Sequence, residues 1–104
     1  MKEPGYASEI DAIDDLRRRG YTANFQIRDN TLSEVTSGRM FRPGELVIVE
    51  HHRFEGASDP EDMSVVYAIE SDDGVRGIVV DAFGVYADPA LAVFLKGIKK
   101  REHV

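Results

Sequence analysis

Between His51 and Asp62 the chain places His51, His52, Arg53, Glu55, Asp59, Glu61 and Asp62, the densest run of functional side chains it contains. Imidazoles and carboxylates are the ligand set of Mg, Mn and Zn, and a loop rich in acids can wrap an oxygen-preferring cation. The spacing matches no standard metal motif. On a strand, His51 and His52 point to opposite faces, so without a bulge they cannot share one ion. The default reading is structural: Ser58-Asp59-Pro60 is a turn, Asp59 bonds nearby backbone N–H groups, and the other acids are solvated. Arg53 and Glu55, two apart, share a side of the strand end, and Asp81 ends a neighbouring strand. A guanidinium–carboxylate pair there would hold the loop. The same residues, beside Tyr67 and Tyr86, would also line a pocket at one end of a sheet. The candidate ligand-binding set is therefore Arg53, Glu55, Asp59, Asp62 and Asp81. A divalent metal is one ligand it would accept, and no other cofactor is expected.

The catalytic inventory is otherwise thin. With no cysteine there is no disulfide, no thiolate zinc site and no thiol nucleophile. No Gly-x-Ser-x-Gly, His-Glu-x-x-His or Gly-x-x-x-x-Gly-Lys pattern occurs. A two-carboxylate acid–base pair stays open, since the chain has 19 acids. Those 19 acids face 13 bases, for a net charge of −6. That balance argues against nucleic acid or an anionic membrane as the main partner, because both require attraction for phosphate. Tyr67, Phe83 and Tyr86 then read as core or interface aromatics rather than base-stacking platforms. Arg17 to Arg19 and Lys99-Lys100-Arg101 read as solvated helix ends. The N-terminus lacks the apolar stretch of a signal peptide, and no run approaches the roughly 20 apolar residues that span a bilayer. A cytoplasmic location is expected.

The elements that would position these groups follow from periodicity. Ser8 caps a helix to about Arg19, with Asp11 completing a capping box and Ile10, Ile13 and Leu16 as an apolar stripe. Early acids and late arginines match its dipole, and Gly20 ends it. Tyr21 to Arg28 alternates as a half-buried strand, Asp29-Asn30 turns, and Thr31 to Thr36 returns. A loop or short irregular edge holds Met40 and Phe41. Glu45 to Phe54 carries Leu46, Val47, Ile48 and Val49 in succession, as in a strand covered on both faces. Met63 to Ser71 and Val75 to Ala82 flank a tight Asp72-Asp73-Gly74 turn. Asp88 caps a last helix with Pro89 at its first position, Leu91, Phe94, Leu95 and Ile98 as its stripe, and the C-terminal bases at its end.

The 104 residues suit a single domain, 1–104, of α+β class. The expected architecture is an antiparallel sheet of four to five strands, since hairpin-length connections demand antiparallel neighbours, with both helices on one face. Two short helices cover only part of that face, while the central strands are apolar on both. The opposite face is then covered by loops or packed against another molecule, for which a second copy of the chain, as a homodimer, is the simplest candidate.

The run Arg53 to Ser64, followed by Tyr67-Ala68-Ile69, by Val80 to Ala87 and preceded by a first helix ending Arg19-Gly20-Tyr21, resembles a family of short bacterial proteins of about this length. Members of that family are often named as phosphoribosylpyrophosphate synthetases, and the resemblance covers most of the chain. The name implies a strand of small apolar residues ending in two acids, for the ribose hydroxyls, then a Thr- and Gly-rich loop whose N–H groups hold the phosphate. Gly77-Ile78-Val79-Val80-Asp81 supplies the strand and the first acid. Ala82 stands where the second acid belongs, and no threonine follows. A true synthetase is also far longer, with two doubly wound halves and an ATP site. The expected function is thus a non-catalytic domain that binds itself or another protein. The alternative is a small-molecule, phosphate or divalent-metal site built on the five residues above, with enzymatic activity open.

Overall fold

The Ser8 hydroxyl accepts the Asp11 N–H at 3.2 Å and so starts the first helix, α1, at Glu9–Arg18. Gly20, at φ +103°, turns the chain out of it. These residues belong to a computed structural model that describes 8–54, 64–82 and 88–101. After α1 come β1 (Ala23–Arg28), β2 (Thr31–Glu34), β3 (Met40–Phe41), a 3-10 turn at Pro43–Glu45, β4 (Leu46–Phe54), β5 (Ser64–Ser71), β6 (Arg76–Ala82), α2 (Pro89–Lys96) and β7 (Lys99–Lys100). Asp29 and Asn30 take positive φ values of 52° and 62°, which closes the β1–β2 hairpin in the sense of its twist.

The chain is α+β as expected, but the sheet is larger and mixed. Among the described residues, seven strands run in the order β3-β2-β1-β6-β5-β4-β7. Met40–Phe41 and Lys99–Lys100 join as two-residue edge strands, which accounts for the excess over four or five. Sequence neighbours pair antiparallel, whereas β1–β6 and β4–β7 pair parallel. Neither parallel pair is joined by a hairpin, so turn length never constrained it. β1 divides its partners: Ala23 and Asn24 pair with β6, and Phe25 to Arg28 pair with β2.

The helices do not share a face; this corrects the expected packing. Along β5, Val66 and Ala68 pack with Leu16 of α1, Tyr21 and Ile78. Tyr67 and Ile69 point the other way, into the cluster of Phe25, Leu32, Phe41, Ile48 and Val79 beneath Leu91, Phe94 and Leu95 of α2. Strands that are apolar on both faces thus receive one helix per face. The face left bare in the expected packing is covered in part by the chain's own α1, with Val80 still 40% exposed on it. Fully burying Leu16 is worth about 1.5–3 kcal/mol, so each helix is anchored chiefly by its few core side chains.

The last helix also ends earlier than its charge pattern suggests. Gly97 caps it, and a Cβ there would lie 3.2 Å from the Pro43 Cβ. Ile98 then drops into the α2-side core, and Lys99 and Lys100 pair with Val47 and Ile48. The Arg101 N–H donates to the Ile48 carbonyl at 2.9 Å. The C-terminal bases therefore decorate an edge strand rather than a helix end. None of the described helices is long and apolar enough to cross a membrane.

Candidate functional site

A bulge in β4 decides which of its polar side chains meet. Ile48 pairs with Ile69 but Glu50 pairs with Ala68, so Val49 is the extra residue. Before it, Leu46 and Ile48 face α2. After it, Glu50, His52 and Phe54 turn towards α1, opposite Ala68, Val66 and Ser64, while His51 and Arg53 face α2's side. His51 and His52 remain on opposite faces, as alternation requires.

On the α2 side two cross-strand rows lie next to each other. One is His51–Tyr67–Val79 and the other is Arg53–Val65–Asp81. Arg53 and Asp81 are thus brought to one face, two strands or roughly 10 Å apart at Cα. The His51 ring stacks on Tyr67 with centroids 5.9 Å apart and planes at 29°. Asp81 Oδ1 accepts the Asp88 N–H at 3.4 Å, and Asp88 Oδ1 accepts the Ala90 N–H at 2.9 Å, so both carboxylates serve the start of α2. Glu55, Asp59 and Asp62, the other members of the expected set, lie outside the described residues. A guanidinium and a carboxylate flanking an aromatic pair can hold an anion, a hydroxyl and a flat ring. Among the described residues, no group of three or more His, Asp or Glu side chains is close enough to hold a metal.

The α1 side carries a network that sequence reasoning did not single out. Glu50 bridges Arg19, which it pairs with directly, and His52, whose Nε2 lies 3.3 Å from Glu50 Oε1. Arg19 Nε also reaches Asp15 at 3.2 Å, and the Ser64 hydroxyl donates to Glu9 at 2.5 Å. Burial alone would raise the Glu50 carboxyl, but hydrogen bonds and charge from Arg19 and His52 outweigh it and hold it below the usual carboxylate range. These contacts clamp α1 to β4 and β5. The one available signal was Glu50 and His52 alternating directly after an apolar run.

Among the concavities lined by other described residues are two elsewhere on the surface. One, of about 410 Å³, is lined by Thr22, Glu34, Thr36 and Arg76. The Glu34 carboxylate there accepts the Ser37 and Thr36 N–H groups at 2.8 and 3.1 Å, and Arg76 meets Glu70 at 2.8 Å, so its charges serve the local turns. The other, of about 510 Å³, runs between the first turns of α2 and the chain after β1 and β3. Pro43, Pro89, Ala90, Val93 and Phe94 make it apolar, and Asn30, Thr31 and Arg42 border it. Val93 is 71% exposed at its rim.

No protein-family model matches the chain, and neither a curated protein nor a solved structure shows significant similarity to it.

Proposed function

We propose that this chain is a small non-catalytic interaction module that docks an apolar, acid-flanked protein segment in the groove beside α2. The observation that carries the reading is the groove itself. Each face of the central strands carries one of the chain's own helices. Yet a concavity of about 510 Å³, within the size range of specific binding sites, is left apolar with Val93 standing out at its edge. The Arg42 backbone N–H holds the Glu45 carboxylate at 2.8 Å, but its guanidinium at the border has no ion-pair partner among the described residues, which favours an acidic occupant. The test is selection of a random-peptide library on the immobilised protein. Val93→Glu, at an exposed position, should change stability by less than about 0.5 kcal/mol. Apolar, acid-flanked peptides that bind the wild type and not Val93→Glu are the expected result. Peptides indifferent to that substitution, or none at all, overturn the reading.

One observation favours a second reading, a small-molecule site: Arg53 and Asp81 share a face beside His51 and Tyr67. It would suit a phosphate- or carboxylate-bearing ligand with hydroxyls, in keeping with the phosphoribosyl-like strand that ends at Asp81. A ligand at a hundred times its dissociation constant adds about 2.7 kcal/mol of stability. Mg, Mn, Zn, ATP and phosphoribosyl pyrophosphate, singly and in pairs, are the probes for a thermal shift. A shift lost in Asp81→Asn supports the site, and a flat screen removes it.

A further inference from the structure

The two most exposed large hydrophobic side chains among the described residues are Val93, at 71%, and Ile10, at 68%. Each stands on the outward ridge of a helix whose inward ridge is buried, and the two helices cover opposite faces of the sheet. Their charged surroundings are of opposite sign. Asp11 follows Ile10 and Asp14 lies one turn along the same ridge, both exposed. Lys96 lies one turn beyond Val93, and Arg42 borders the groove, both exposed. None of these four has an ion-pair partner among the described residues. Asp88, at the helix end of the groove, already accepts the Ala90 N–H.

We propose that the chain binds copies of itself head to tail, the Ile10 ridge of α1 in one copy seating in the Val93 groove beside α2 in the next. This rests on the docking reading of the groove and names its occupant. Apolar meets apolar, and Asp11 and Asp14 meet Lys96 and Arg42. Because knob and groove lie on opposite faces of the sheet, one contact leaves a free knob at one end and a free groove at the other. The contact is heterologous, and association is open-ended instead of stopping at a symmetric pair. One helix ridge in one groove is a small interface, so each step is weak, with a dissociation constant on the order of 0.1–1 mM.

Sedimentation equilibrium of the wild type, Ile10→Lys, Val93→Glu and an equimolar mixture of the two variants tests this, with Arg42→Glu as a second groove-side variant. Thermal midpoints near that of the wild type establish that the variants fold. The wild-type mass should climb past that of a dimer with concentration and fall back with added salt. Each variant alone should remain a monomer. The mixture should form a one-to-one dimer and go no further, since it retains one intact knob and one intact groove. A wild type that stays monomeric to about 2 mM, one that stops at a dimer, or a mixture that fails to pair overturns the proposal. A monomeric wild type that still selects peptides refused by Val93→Glu leaves the docking function standing. If no such peptides appear either, both fall.

Discussion

A methyl group at position 77 has no space to occupy. It would lie 2.5 Å from the Ala23 carbonyl oxygen and 2.7 Å from both the Ala23 Cβ and the Phe25 ring. Backbone lies on one side and a core aromatic on the other, so nothing can yield cheaply. We expect Gly77→Ala to cost about 3 kcal/mol, at the upper end of overpacking, and to lower the thermal midpoint by roughly 15 °C. Gly74 is the control. At φ +95° with open space around it, Gly74→Ala should cost only the backbone penalty of about 1–2 kcal/mol. A smaller loss at 77 than at 74 would show that β1 does not approach β6 this closely. The comparison also bears on the Gly77–Asp81 run of β6. Its leading glycine has a packing reason to be there, independent of any ligand at Asp81.

At the scale of elements, what was legible in the chain was local. Ser8, the Asp29-Asn30 turn, Gly74 and the Asp88-Pro89 start announced their boundaries because caps and turns use short-range hydrogen bonds and special φ values. The faces were not legible. A strict alternation from Leu46 would put Glu50 and His52 with Ile48, and only the Val49 bulge sends them to α1 instead. Nothing in Val-Ile-Val-Glu marks that extra residue, which is set by which side chains β5 and the helices can accept. The same holds for Arg53 and Asp81, whose meeting depends on registers across three strands. Lys99 and Lys100 were legible as exposed but not as a strand, since the pairing partner Val47–Ile48 is remote in sequence. Their placement predicts a behaviour. Charged side chains on an edge strand oppose pairing with other chains, so Lys99→Val with Lys100→Thr should raise light scattering on mild heating while leaving far-UV circular dichroism unchanged. Unaltered scattering would show that this edge is protected in another way.

For the whole molecule, acid is the condition that finds several supports at once. Glu34 is held below the ordinary glutamate value by the Ser37 and Thr36 N–H groups. Glu70 is lowered by its hydrogen bond from Arg101, with Arg76 adding to it against burial, and Asp73 by the Ser71 hydroxyl and Arg39. Glu50 is lowered as well. For each, the unfolded chain binds the proton more tightly than the folded one. Their stabilisation is complete above the unfolded values, about 4.3 for Glu and 3.9 for Asp, and is lost as pH falls through the lower folded values. The urea midpoint should therefore hold from pH 7 to about 5 and decline below about 4, and Glu34→Gln should make that decline shallower. A midpoint that rises on acidification would contradict these four contacts.

The parallel junction of β1 with β6 joins residues half the chain apart through Ala23–Gly77 and Asn24–Ile78 alone. The β1–β2 and β5–β6 hairpins close over short turns, so they can form early and at little entropic cost. The junction must bring two such pieces together for a return of two residue pairs, so we expect it to form after the rate-limiting step of folding. Gly77→Ala should then steepen the rate at which the native state is lost while the refolding arm of the chevron stays where it was. The lifetime of the native molecule, more than its speed of formation, would be set at this narrow join.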